Sequence, residues 1–419
     1  MTKQSTSKIA LVLSGGGARG AYEAGVLTNV RKAIWPDRHG FHIQCGTSAG
    51  AINTCFMAAT ADQPALQGNK MRELWENLRS GDIYKGDMIA VYHILSRMAA
   101  YTTTHLFGLA PLIRKLTGGD IKPFQGLLDT SPFIPYLKKT IPFKKIAHNI
   151  RDGLLDAITV GATNVGNGRL ELFMEKKESL PYNGPYRIHL QPIDWLHAMA
   201  SAAVPIIFPP VRIGPYFYVD GSIRQNTPMS PAVQLGADKI LIIGVKHKRS
   251  PETSGRFQFA EPNAYPSFTH LSGKLMDALF LDHIEYDLEQ MTRINRIIEW
   301  SEKIYGSDFI KKINAFVKQE KIEGDIASRG LKKIGAFPIF PSEDIGKIAC
   351  ERLLKLSRTK NKLSSVERFF LKFMEVDPKA DLDLLSYLMF DKEYLGALIE
   401  MGIRDCKQME TDLTRFLTE

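Results

Sequence analysis

Ile9-Ala10-Leu11-Val12-Leu13-Ser14-Gly15-Gly16-Gly17-Ala18-Arg19-Gly20 and Phe41-His42-Ile43-Gln44-Cys45-Gly46-Thr47-Ser48-Ala49-Gly50 follow one pattern. Each opens with a short apolar, partly β-branched run, closes it with glycine, and continues into a stretch that favours helix. A buried parallel strand ends in a tight turn in this way. The first run predicts a strand over Ile9–Leu13 and a helix over Ala21–Ala33. The second predicts a strand over Phe41–Cys45 and a helix over Ala49–Ala61. Ala157–Ala162 and Ile240–Val245 read as further buried strands. Strands alternating with helices predict an α/β fold with a mostly parallel sheet.

The rhythm breaks twice. The segment 71–147 contains helical stretches, Met71–Leu78 and Pro135–Lys139, around an apolar section, and reads as an inserted cap over the sheet. A connector at 251–269 is rich in Ser, Pro, Gly and charge. From about 270 to 419 the pattern is helical: Leu275, Leu279, Ile284, Leu288 and Met291 recur at helical spacing, and Ser364 with Glu367 fits a capping box. The domain reading is therefore a catalytic unit at 1–250, a connector, and a helical C-terminal region.

Composition narrows the classes. The chain has 419 residues, 44% hydrophobic and 24% charged, which excludes disordered and collagen-like readings. Its four cysteines, Cys45, Cys55, Cys350 and Cys406, form no C-x-x-C pair, so neither a zinc site nor a disulfide scaffold is expected. A net charge of +9 favours anionic partners such as phospholipid surfaces. No basic stripe with interleaved aromatics is present, so nucleic acid is not an expected partner. The stretch before Ile9 is polar, and the apolar run after it is too short for a secretory signal. The most apolar long segment, Met88–Leu112, is interrupted by His93, Arg97, His105 and Pro111, against a transmembrane helix. The expectation is a cytoplasmic or peripherally membrane-associated protein, with signal-less export and oligomeric state left open.

Three motifs carry chemistry. Gly15–Gly20 fits the G-x-G-x-x-G dinucleotide fingerprint, but the acid due at the end of the second strand is absent and Asp37 precedes that strand. No Lys-Ser/Thr follows the glycines, so a Walker-type phosphate loop fails too. Gly46-Thr47-Ser48-Ala49-Gly50 is a G-x-S-x-G between strand and helix, the setting of a nucleophile elbow. The turn raises Ser48 above the sheet edge, and the helix after it offers its positive end. Serine is also a favoured N-cap, so this motif alone is compatible with an ordinary turn. With the glycine cluster beside it the pattern sharpens, because a serine attacking an ester needs bare N–H donors for the oxyanion. Arg19 either fixes that loop or meets an anionic headgroup. Tyr218-Val219-Asp220-Gly221-Ser222 then presents a carboxylate at a tight exit, a candidate base for Ser48.

GGGARG, GTSAG and the Asp-Gly of YVDGS, in that order, resemble the patatin-like phospholipase family. Gly161–Asn164 and Ser201–Val211 resemble it too, so the likeness spans roughly Ile9–Val245. Ser222 departs from the Gly or Ala usual after the Asp-Gly pair, a small change. The resemblance implies a three-layer α/β/α fold and a lipid acyl hydrolase with a Ser48–Asp220 dyad and no histidine. It implies an oxyanion hole from the Gly15, Gly16, Gly17, Ala18, Arg19 and Gly20 loop, and an elbow of Gly46, Thr47, Ala49 and Gly50 around Ser48. Gly221 completes the Asp-Gly motif. No metal or cofactor is called for. The expected partner is a phospholipid or other acyl lipid met in transient contact with a membrane surface.

Two alternatives stay open. One is a Ser-Asp-His triad in α/β-hydrolase order, with His247 following Asp220; His197, on the apolar stretch Trp195–Ala203, is a further histidine to weigh and reads as a core or helix-surface residue. The other is a lipid- or partner-binding protein that keeps the scaffold without catalysis. Met88–Leu112 is read as an acyl channel or lid, or as plain packing. Phe369–Met374 is read as packing or a subunit contact, and Lys246–Arg249 as a solvated basic loop.

Overall fold

The apolar run Ile9–Leu13 forms strand β1, buried at every position, and Ile43–Thr47 forms β2. They pair in parallel, with Leu13 opposite Gly46. The structure, a computed structural model, describes residues 7–35, 40–85, 126–247, 284–320, 332–358 and 383–419. Among these, seven more strands join the same sheet: β3 (Ala157–Asn164), β4 (Leu170–Lys176), β5 (Arg187–Leu190), β6 (Val211–Ile213), β7 (Tyr216–Asp220), β8 (Lys239–Ile243) and β9 (Gly335–Ile339).

The sheet runs β5-β4-β3-β2-β1-β8-β9. From β3 to β9 every neighbouring pair is parallel. β4 lies antiparallel to β3. β7 pairs antiparallel with the last residues of β3, which sets Asp220 opposite Ala162.

Both faces of this sheet are covered, which explains why β1 reads as an unbroken apolar run. Ile9, Leu11 and Leu13 face one core, shared with α1 (Gly20–Asn29), α2 (Ala49–Ala59) and α3 (Pro64–Asn77). Ala10 and Val12 face the other, shared with Met229 and Ala232 of the helix Met229–Gln234 and with Ile284 of the helix Ile284–Tyr305. The result is the expected three-layer α/β/α arrangement. Among the described residues no helix is long and apolar enough to cross a membrane.

Four features depart from the sequence reading. The first helix stops at Asn29 and continues as a π-helical turn over Val30–Ile34. The helix expected from Met71 begins earlier, at Pro64, and buries Met71, Leu74 and Trp75 in the main core, so the inserted segment does not start at a clean boundary. The C-terminal region is not helical throughout: Gly335-Ala336-Phe337-Pro338-Ile339 forms β9, in register with Lys239–Ile243. Pro338 is tolerated because β9 is the edge strand, where a missing N–H removes no ladder bond on the outer side. Finally, the helix Lys392–Gln408 lies directly on α1. Side chains at Gly25 and Gly402 would run into the Ile399 and Tyr22 carbonyl oxygens, so the two backbones touch there. Tyr22 also hydrogen-bonds Asp405 at 3.1 Å. The C-terminal region is thus built into the α/β unit. Asp37, Met88–Leu112, Lys248, Arg249, Leu275, Leu279, Ser364, Glu367 and Phe369–Met374 lie outside the described residues.

Candidate active site

β2 ends at Thr47 and α2 begins at Ala49, so Ser48 alone turns the chain. Its φ of 55° and ψ of −125° put a non-glycine residue in a strained region. Such strain costs about 1–3 kcal/mol and persists only where the surroundings enforce it. The enforcement is visible. A side chain at Gly46 would collide with the Gly50 carbonyl, and one at Gly50 would lie 2.5 Å from the Leu13 carbonyl oxygen. The bend closes only with glycine at both places.

A serine outside the motif holds the bend from the other side. Ser201, fully buried at the end of the helix Trp195–Ser201, accepts the Ser48 N–H at 2.9 Å. Its hydroxyl donates to the Gly161 carbonyl at 2.6 Å. One oxygen therefore ties the elbow to β3.

Asp220 closes β7 and is wholly buried. The Ser48 hydroxyl donates to its Oδ2 at 2.7 Å, and the Ser222 N–H donates to its Oδ1 at 2.8 Å. Its backbone is pinned as well: its N–H donates to the Ala203 carbonyl at 2.8 Å, and its carbonyl accepts the Thr163 hydroxyl at 2.9 Å. A side chain at Gly221 would meet the Gly161 carbonyl, which accounts for the glycine after the aspartate. Burial pushes the carboxyl up to about 6, against the hydrogen bonds from Ser48 and Ser222, which favour the ionised form.

The glycine loop is packed against this pair. Any side chain at Gly15 would strike Ser222, Asn226 and Ser48. The loop's amides are not equivalent. The Gly15 N–H is bound to the Asn226 carbonyl at 3.1 Å and the Arg19 N–H to the Gly16 carbonyl at 3.0 Å. The Gly20 N–H is directed at the Ala18 and Gly17 carbonyls. These three amides are directed at backbone carbonyls. Gly16 and Gly17, by contrast, line the pocket beside Ser48 and Ala49. Arg19 is buried: its Nε donates to Ser386 at 2.8 Å and its guanidinium lies 4.0 Å from the Tyr387 ring centre.

Beneath the loop lies a second buried network. Glu23, with no exposed surface, accepts the Ser14 N–H at 2.8 Å and the Asn53 amide at 2.8 Å. Asn53 also donates to the Gly20 carbonyl at 3.1 Å and accepts the Trp75 indole N–H at 2.7 Å. Burial drives the Glu23 carboxyl well above the usual carboxylate range. Both ends of the glycine loop are thereby tied to Trp75, a wall of the pocket.

The pocket is narrow and almost entirely apolar. Ile52, Trp75, Tyr136, Phe208, Leu388 and Phe390 are among its walls. Ser48 lines it together with the hydroxyl-bearing Thr130, Tyr136 and Tyr387, and an apolar lining of this kind suits a hydrocarbon chain.

Neither candidate histidine joins the pair. His247 Nδ1 is bound to the Pro341 carbonyl at 2.8 Å. His197 Nδ1 takes the Asp194 N–H at 3.0 Å, capping its own helix, and its ring packs on Phe173. The direct Ser48–Asp220 bond leaves no place for an imidazole between them. The residues that sequence reading missed are Ser201, Glu23, Asn53 and the C-terminal wall. Two of these carried a signal: Ser201 heads the Ser201–Val211 stretch of the family resemblance, and Glu23 is a lone charge in the otherwise apolar Ala21–Leu27 stretch. Among the described residues no cluster of three or more His, Cys, Asp or Glu side chains is arranged to hold a metal.

A family model described as patatin-like phospholipase matches residues 11–233, just over half of the chain. No curated protein matches it. Among solved structures, the crystal structure of VipD from Legionella pneumophila is similar over 97% of this chain and 67% of its own, at 13% identity and a TM-score of 0.32.

Proposed function

The chain belongs to the patatin-like phospholipase family, and from that premise we propose that it cleaves fatty-acyl esters of phospholipids, as a phospholipase A or lysophospholipase, through a Ser48–Asp220 dyad. The observation that carries this reading is the 2.7 Å hydrogen bond to Asp220 from Ser48, which lines an apolar pocket.

The steps follow from the groups present. Ser48 Oγ attacks the ester carbonyl while its proton passes to Asp220 Oδ2. An aspartate at its ordinary pKa of about 3.9 is a feeble base; one raised by burial to about 6 accepts a proton far more readily and is still ionised at neutral pH. The N–H groups of Gly16 and Gly17, with that of Ala18, take the negative charge of the tetrahedral intermediate. Asp220 then returns the proton to the departing alcohol, leaving an acyl-serine. Water, deprotonated by Asp220, releases the fatty acid and restores the hydroxyl. No step calls for a metal or cofactor. The acyl chain occupies the apolar pocket and the headgroup stays at its mouth. Transient contact with a membrane surface, favoured by the net charge of +9, delivers the lipid.

The test is incubation with a mixed lipid extract, with products read by mass spectrometry. Wild type should release free fatty acid and lysophospholipid, and both Ser48→Ala and Asp220→Asn should release neither. A folded wild type that binds lipid without releasing product would favour a binding protein on the same scaffold.

A further inference from the structure

Three walls of the pocket, Tyr387, Leu388 and Phe390, come from a segment far outside residues 11–233. All three are buried. The segment is held from several sides. Arg19 Nε donates to Ser386 at 2.8 Å, and the Arg19 guanidinium stacks over Tyr387. The Tyr84 hydroxyl donates to the Leu388 carbonyl at 2.9 Å, and the Tyr394 hydroxyl to the Ser386 carbonyl at 3.0 Å. The Tyr387 carbonyl sits where a side chain at Gly17 would be, so the segment also backs the glycine loop. Phe390 meets the Tyr84 ring edge-on at 6.3 Å, and Tyr84 in turn packs against Phe208 at 6.2 Å.

We propose that this C-terminal segment, with Phe390 as its principal side chain, sets the acyl-chain length the pocket accepts. The inference rests on the reading of the pocket as an acyl site. A wall tethered at these points resists displacement and limits the room available to an acyl chain on its side of the pocket. Each methylene that fits contributes about 0.8 kcal/mol, close to fourfold in binding, until the chain meets a wall. Beyond that point further carbons gain nothing and overpacking penalises them. Removing the Phe390 ring opens space, and enlarging the ring closes it.

The experiment uses the full chain and two variants that push in opposite directions, Phe390→Ala and Phe390→Trp. Binding of saturated fatty acids from octanoate to stearate is measured by calorimetry in the Ser48→Ala background, which needs no catalysis. Hydrolysis of the matching p-nitrophenyl esters is followed in the Ser48 enzyme. Phe390→Ala should raise the long-to-short affinity ratio at least tenfold, and Phe390→Trp should lower it. The ester profile should move the same way. Unchanged profiles in both variants, with fatty acids still bound, overturn the proposal. If fatty acids bind with the expected shifts but no Ser48-dependent hydrolysis occurs, the gauge stands and the hydrolase reading falls. Should Phe390→Ala fail to fold, the Trp variant and Phe390→Leu decide it.

Discussion

Replacing Ser201 by alanine removes one oxygen and strands two backbone groups at the heart of the site. That oxygen accepts the Ser48 N–H at 2.9 Å and donates to the Gly161 carbonyl at 2.6 Å, in a place with no exposed surface. Each buried group left unsatisfied costs about 1–3 kcal/mol. Part of this is recovered, because the elbow relaxes from its φ of 55° once its tie to β3 is cut. A net loss of about 2–4 kcal/mol in stability follows, read as a lower urea midpoint at unchanged slope. The same relaxation displaces the Ser48 hydroxyl from Asp220, and a shift of about 1 Å in a reacting group costs on the order of a hundredfold. The expected outcome is a drop in kcat of roughly 10–100-fold on a soluble ester, with little change in KM, since the pocket walls are untouched. Ser201→Thr, which keeps the oxygen, should recover most of both losses. A Ser201→Ala enzyme with unaltered kcat would refute the idea that this residue holds the elbow, whatever its stability.

The pH profile of Asp220 has a definite sign. The base must be ionised, so kcat/KM should rise through a pH of about 6 and level off above it; a profile flat from pH about 5 to 8 would contradict this role. Because the folded state raises this carboxyl above its ordinary value, folding favours the protonated form, and stability falls as pH rises between about 4 and 6 and stays lowered above. Asp220→Asn should therefore be inactive yet more stable than wild type at neutral pH, by roughly 1–3 kcal/mol. Thermal melts of the two proteins at pH about 4 and 7 check it, with the advantage vanishing at the lower pH. Asn53→Ala leaves the Trp75 indole and the Glu23 carboxyl without their partner and should cost about 2–4 kcal/mol, measured by denaturant titration. Gly402→Ala drives a methyl into the Tyr22 backbone of α1 and should lower the melting temperature of the whole α/β unit in a single transition. Two separate transitions would mean that the C-terminal region folds on its own.

What could be read from the chain was what close backbone approach and two-sided burial write into residue type. Gly46 is forced by the Gly50 carbonyl, Gly50 by the Leu13 carbonyl of the neighbouring strand, and Gly221 by the Gly161 carbonyl, so the elbow and the Asp-Gly exit stand out in sequence. β1 and β8 are legible because a strand covered on both faces has no polar side to interrupt it. β9 is not: an edge strand holding Gly335 and Pro338 is defined by its pairing with β8, which no local pattern announces. Ser201 and Asn53 are ordinary polar residues until the fold brings Gly161, Ser48 and Trp75 to them. Tyr387, Leu388 and Phe390 belong to no motif, and only the contact of their segment with Arg19 and Gly17 makes them part of the site. The glycine loop stands out in the sequence as a whole, but which of its amides are taken up by backbone carbonyls depends on Asn226 and on the 3₁₀ turn at Gly17–Arg19.

The central claim is that Ser48 is a nucleophile activated by Asp220. It is tested most directly by treating the purified full chain with an alkyl fluorophosphonate and locating the adduct by peptide mass spectrometry. The account predicts one adduct, on the peptide carrying Ser48, formed rapidly in wild type and at least a hundredfold more slowly in Asp220→Asn. An adduct elsewhere, or one on Ser48 formed equally fast without the carboxylate, would contradict it.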